Sequence, residues 1–322
     1  MAQTLAIVLP VFAVILLGYG VGKTRLFGDE GVRALTTFCF YVAIPAVLFR
    51  AMAQLDAPGG SDFAAVIAYY AAVLVAYALA MALARLLFKL TLAEQAIFAA
   101  GSTYSNILLL GIPLVLTAFG PRAALPQSAI LALQSVILIS LTSLIVEAAR
   151  GAVGKGGDPE AAGVGTILKS AGLALATNPI IVAMVAGFAW GRTGLGLHEI
   201  VEKSLVFLGQ AATPTALFAL GASLTRFHLG GDLRQVAVIG LIKLALLPAL
   251  VFVSAKYVFH LDALPVAVAT ISAAMPSGVN AFVLAIRYET LIARIATAVI
   301  ATTALAWAIA AALLSWMLPG LG

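Results

Sequence analysis

Charge is scarce in this sequence: only 10% of its 322 residues are Asp, Glu, Lys or Arg, and 63% are hydrophobic. Soluble domains average about 25% charged residues, and their outer helices need polar faces, which are missing here. A soluble globular protein is excluded. Cysteine is nearly absent. The single Cys39, inside an apolar run, excludes an internal disulfide framework and a cysteine-rich metal site. The three histidines, His198, His228 and His260, stand singly in or near loops, a poor basis for a metal site. No Asp or Glu falls in the middle of an apolar run; Glu94 and Glu147 lie near run ends. Cation exchange by buried carboxylates is disfavoured accordingly, although backbone carbonyls can still hold sodium. No clustered His, Cys or carboxylate constellation supports an enzyme, a metal or a cofactor. The formal net charge of +5 reads as loop charge facing the cytoplasm, not as a nucleic-acid footprint. Since the first charge is Lys23, the N-terminal run lacks a basic lead and reads as a retained first span.

What is present is a succession of long apolar runs. They predict an all-α membrane protein of ten spans, at about 4–22, 33–50, 63–88, 94–117, 126–147, 166–190, 203–224, 235–257, 264–286 and 292–317. The Gly-rich stretch 151–165, with Lys155, Asp158, Pro159 and Glu160, reads as a cytoplasmic linker between two halves, 1–150 and 166–322. Twelve basic residues fall in odd-numbered loops and five in even-numbered ones, with Lys243 left inside a span. That bias puts the odd loops in the cytoplasm and both termini outside it, in the cell (inner) membrane.

The halves match at one offset. "LPVFAVILLGYGVGKT" from Leu9 pairs with "NPIIVAMVAGFAWGRT" from Asn178, and Pro10, Gly18, Gly22 and Lys23 align with Pro179, Gly187, Gly191 and Arg192, each 169 residues on. The same offset sets Pro45, Leu48 and Phe49 on Pro214, Leu217 and Phe218. Ala and Leu coincidences are cheap in this composition; coincident Pro and Gly are not. Five spans per half is odd, so the second copy enters the membrane from the opposite side as an inverted repeat. The segment "GYGVGKT" only mimics a phosphate loop, because Leu17 stands where its first glycine belongs.

The fourth span reads "GSTYSNILLLGIPLVLTAFG" and the ninth "ISAAMPSGVNAFVLAIRYE". Gly111 and Pro113 in one, and Pro276 and Gly278 in the other, loosen the helix near Asn106 and Asn280. Backbone groups freed there cannot face lipid, and paired interruptions at corresponding places point to a midplane binding site. Half-helix N-termini favour an anion. Gln134 on span five suits either the site or an interhelical hydrogen bond. Lys243, mid-span, either raises the local potential for an anion or neutralises a carbonyl cluster, the latter being the better fit because lysine also snorkels. Gln210 and Thr213, before Pro214, read as packing residues.

These segments resemble the auxin efflux carrier family, including its bacterial members. The likeness spans nearly the whole chain and is most specific in "NILLLGIPL" from Asn106 and "MPSGVNAFVLAIRYE" from Met275. The resemblance implies a fold like that of sodium/proton antiporters and bile-acid carriers. Helices 1, 2, 6 and 7 would form a scaffold, often a homodimer. Helices 3–5 and 8–10 would form a moving transport domain, with the fourth and ninth crossing at the substrate. By the same resemblance Asn106 and Gln134 would contact a substrate carboxylate. The expected function is secondary transport of a small organic anion, a mono- or dicarboxylate, by an elevator-type mechanism. The expected site comprises Ser105, Asn106, Gly111, Pro113, Gln134, Pro276, Ser277, Gly278, Val279 and Asn280, with Lys243 in an electrostatic role. The alternative is a membrane-embedded sensor or structural subunit that binds without transporting.

Overall fold

Where apolar residues cover every face of a segment, only a helix satisfies the backbone without water. The computed structural model describes residues 2–24, 27–54, 60–151, 176–227 and 230–318. α1 (Ala2–Gly22) leads to α2 (Asp29–Phe38) and, through a π-turn at Cys39–Ala43, to α3 (Ile44–Ala53). α4 (Gly60–Phe88) is followed by two half-length helices, α5 (Leu92–Thr103) and α6 (Ile112–Phe119), the latter opened by a π-turn at Ile107–Gly111. Next come α7 (Ala124–Gly151), α8 (Pro179–Arg192) and α9 (Glu199–Leu224). α10 (Leu233–Leu241) runs through a π-turn at Ile242–Leu246 into α11 (Leu247–Val253). α12 (Ala263–Ala274) and α13 (Val279–Arg287) form a second half-length pair before α14 (Ile292–Met317). Among the described residues, six helical stretches are long and apolar enough to cross a membrane, and four further apolar helices are shorter. The linker expected at 151–165 lies outside the described residues apart from Gly151, as do His228 and the start of the sixth expected span.

Three prolines widen helices instead of breaking them. Pro45, Pro113 and Pro248 each stand two residues beyond a π-turn. A helical proline withdraws the donor that the carbonyl four residues earlier needs, and its ring crowds that carbonyl. Those carbonyls, on Tyr41, Leu109 and Leu244, all lie inside the widened turns, where the bonding shifts from four residues to five. Pro10 and Pro214 stay within regular helix.

Helices α1 and α9 pack along each other, as do α3 and α8. Glycine sets both approaches. A Cβ on Gly18 would lie 2.2 Å from the Phe218 carbonyl oxygen, and one on Gly187 would lie 2.3 Å from that of Phe49. One turn on, a Cβ on Gly22 would meet Ala222 at 2.9 Å and one on Gly191 would meet the Ala53 oxygen at 2.7 Å. Small residues that let backbones touch are the usual means of helix association in lipid. The contacts are reciprocal: shifting either residue pair of the first seam by 169 positions gives the second.

Candidate functional site

The two half-helix pairs meet. α5 stops at Thr103 and α12 at Ala274, and the segments that follow run extended past one another. Asn106 N–H donates to the Pro276 oxygen at 2.9 Å and Gly278 N–H donates to the Tyr104 oxygen at 2.8 Å. This is an antiparallel bridge centred on Ser105 and Ser277. The second break has a local cause: Pro276 drives Met275 into the extended region, at φ −61° and ψ 146°. The first break has neither glycine nor proline within Tyr104–Asn106. Ser102 and Thr103 turn their hydroxyls back onto Phe98 and Ala99, a competition that weakens helix ends, and the backbone bonds lost beyond them are regained from the Pro276 segment. Gly278 permits the approach, since a Cβ there would sit 2.8 Å from the Tyr104 ring.

Side chains lock the crossing. Gln134 Nε2 donates to the Ser105 oxygen at 2.8 Å, and Ser105 N–H donates back to Gln134 Oε1 at 3.2 Å. Ser277 N–H donates to Thr302 Oγ1 at 3.0 Å, and Ser277 Oγ donates to the Gly101 oxygen at 2.7 Å. Lys243 Nζ donates to Ser105 Oγ at 2.8 Å and to the Ala273 oxygen at 2.5 Å. Tyr69 OH pairs with the same Ser105 Oγ at 3.3 Å. Ser105, Gln134, Lys243 and Ser277 are all buried.

One side of the crossing opens into a cavity of about 360 Å³. Tyr104, Ser105, Asn106, Gln134, Gly278, Val279 and Asn280 line it, together with Arg33 of α2, Asn178 at the start of α8 and Arg226 just beyond α9. Ile107 N–H donates to the Ser105 oxygen at 2.9 Å and Ala281 N–H to the Gly278 oxygen at 3.0 Å; the other first-turn amides of the Ile107–Gly111 turn and of α13 have no partner within their helices, and neither Asn106 nor Gly278 caps them with a side chain. Asn106 Nδ2 is buried and unpartnered. Asn280 Nδ2 donates to Tyr104 OH at 2.7 Å, and that hydroxyl pairs with Ser135 Oγ at 2.6 Å. Two positive half-helix ends, a free amide donor and two exposed arginines thus surround one space.

The remaining expected site residues stand elsewhere. Gly111 and Pro113 lie on the helical continuation, away from the break; a Cβ on Gly111 would meet Gln127 Nε2 at 3.0 Å. Pro276 and Ser277 form the crossing without lining the cavity. Lys243 lies off the cavity lining, with its Nζ on the Ala273 oxygen. Gln210 and Thr213 line a separate cavity with Arg50 and Thr117, and Gln210 is exposed in place of the packing role expected of it. Tyr104, Tyr69, Thr302 and the two arginines escape a sequence reading. Tyr104, next to Ser105 in "GSTYSN", carried a usable signal, being a polar-tipped ring within an apolar span.

The family model described as "Membrane transport protein" matches residues 4–314. The chain is 28% identical over 316 residues to a Rhizobium meliloti (strain 1021) protein named "Putative malonate transporter", covering 98% of this chain and 96% of the other. It is 24% identical to Arabidopsis thaliana auxin efflux carrier component 5, covering 90% of each, and 30% identical to component 8, covering 58% of this chain and 61% of the other. The chain belongs to the membrane transport protein family, that of the auxin efflux carriers. It is a multi-pass membrane transporter and not an enzyme. In that light the cavity at the crossing is the transporter's candidate substrate seat.

Proposed function

We propose that this transporter carries a small organic anion, a mono- or dicarboxylate of the malonate kind, by elevator-type alternating access. The observation that carries this reading is Asn106: a buried amide donor with no partner, beside two half-helix N-termini in one cavity. A buried donor left unpaired costs about 1–3 kcal/mol, and a carboxylate oxygen relieves that cost. The first-turn amides of α13 and the side chain of Asn280 bind the same anion, and Gln134 acts through Ser105 by holding its peptide in place.

The reciprocal glycine seams favour two inverted repeats, 1–150 and 166–322, making ten crossings with helices four and nine interrupted. In this reading α1, α2–α3, α8 and α9 are the frame, which also pairs the homodimer that the family resemblance implies. The other helices carry the site. The loop-charge bias sets the Arg33 and Arg226 end of the cavity toward the cytoplasm of an inner-membrane protein with both termini outside. At the opposite end Arg50 of α3 and Glu202 of α9 form an ion pair at 3.0 Å, which ties two helices of the frame together.

The test is uptake of labelled malonate into proteoliposomes by the wild type and by Asn106→Ala. The wild type should show saturable flux, and the variant should lose about tenfold or more, the equivalent of one charge-assisted hydrogen bond. Unchanged saturable flux would take Asn106 out of the site.

A further inference from the structure

The C-terminal ends of α5 and α12 both stop inside the crossing. A helix C-terminus leaves its last carbonyls without intrahelical partners and carries the negative end of the dipole. Two such ends meeting away from water call for a positive charge, which bound metal cations or basic side chains can supply. At the α5 end the Gly101 oxygen accepts from the neutral hydroxyl of Ser277. At the α12 end the Ala273 oxygen accepts from Lys243, whose Nζ also reaches across to Ser105 on the other broken segment. One ammonium therefore ties both segments of the crossing together. Lys243 is fully buried, and neither of the two described ion pairs, Arg50–Glu202 and Lys203–Glu199, includes it. Its bonded counter-charge is backbone carbonyl. It lies within the π-turn ahead of Pro248, on an element separate from both broken helices.

We infer that Lys243 is a built-in counter-cation: its side chain occupies the place of a bound metal cation, so that the crossing assembles without sodium. The inference rests on reading the crossing as the substrate seat. Lys243 acts there as a positioning residue, through Ser105 and Ala273, and does not touch the anion.

The experiment compares thermal unfolding of the purified wild type, Lys243→Ala and Lys243→Gln in sodium chloride and in choline chloride at equal ionic strength. Labelled malonate flux is measured in parallel. The wild type should melt alike in both salts and transport alike in both. Lys243→Gln keeps hydrogen-bond donors but not the charge; it should melt several degrees lower and lose about tenfold or more in flux. Propylammonium chloride, which refills the space vacated in Lys243→Ala, should restore much of that variant's stability and flux. Three results would each overturn the inference: a saturable rise of wild-type stability with sodium, wild-type behaviour of Lys243→Gln, or no rescue of a folded Lys243→Ala by propylammonium. Should Lys243→Ala fail to fold, the sodium comparison and Lys243→Gln decide the matter. Absent malonate flux with the melting pattern intact would count against the carboxylate reading alone.

Discussion

Gln134 and the peptide of Ser105 exchange two hydrogen bonds, at 2.8 and 3.2 Å, as a neighbouring strand would. One side-chain amide thereby satisfies both backbone groups of the residue at the centre of the crossing. Gln134→Leu leaves the buried Ser105 N–H unpaired, at about 1–3 kcal/mol, and leaves the Ser105 oxygen with Ile107 N–H as its remaining backbone donor, at 2.9 Å. The variant should melt well below the wild type whether or not substrate is present, and its flux should fall. Gln134→Glu should fare no better, because a carboxylate accepts from Ser105 N–H but meets the Ser105 oxygen with a second oxygen. Thermal unfolding of purified protein checks both substitutions.

Asn106 behaves in the opposite way. Its buried Nδ2 has no hydrogen-bond partner in the protein, so removing it relieves a desolvation cost of about 1–3 kcal/mol. Asn106→Ala should therefore melt no lower than the wild type without substrate, while losing the rise in melting temperature that a ligand bound only to the folded state produces. A malonate titration followed by thermal shift separates this pattern from simple misfolding, which would lower both values.

The glycine seams give a graded test. A Cβ on Gly187 or Gly18 would fall within 2.3 Å of a backbone oxygen, whereas one on Gly20 meets nothing within 4 Å. Gly187→Ala and Gly18→Ala should each destabilise the transporter by about 1–3 kcal/mol, the cost of overpacking, and Gly20→Ala should be silent. Because the seams are reciprocal, the two costly substitutions should be similar in size. Melting of the three variants in one detergent provides the comparison.

The offset that pairs Gly18 with Gly187 was legible in the sequence because only glycine and proline coincidences stand out against so much Ala and Leu. The place of the second break was legible as well, since Pro276 acts on its immediate predecessor. The place of the first break near Asn106 was legible too, but its cause was not. Gly111 and Pro113 looked like breakers, yet Pro113 only widens the helix behind it, and the interruption falls at Tyr104–Asn106. That segment is extended because its hydrogen-bond partners lie about 170 residues away in Pro276 and Gly278, which no local pattern reveals. The arginines of the cavity escaped for a related reason: Arg33 and Arg226 counted as loop charges, and only the fold brings them to one mouth.

Arg33 yields the most direction-dependent prediction. It is exposed, and it lines the cavity at some remove from the crossing, so it acts by raising the local anion concentration more than by binding directly. Arg33→Glu reverses one charge at the mouth and should raise the KM for a dicarboxylate several-fold at low ionic strength, with little change at saturating substrate. The effect should shrink as salt approaches 1 M, where the screening length is about 3 Å. It should be larger for malonate than for a monocarboxylate of similar size, because attraction scales with substrate charge. It should also appear from one face only. In the orientation proposed here that face is cytoplasmic, so inside-out vesicles should show the shift and right-side-out vesicles should not. An equal effect from both faces would mean that the mouth at Arg33 is not specific to one side of the membrane, and with it the cytoplasmic placement of that mouth would fail.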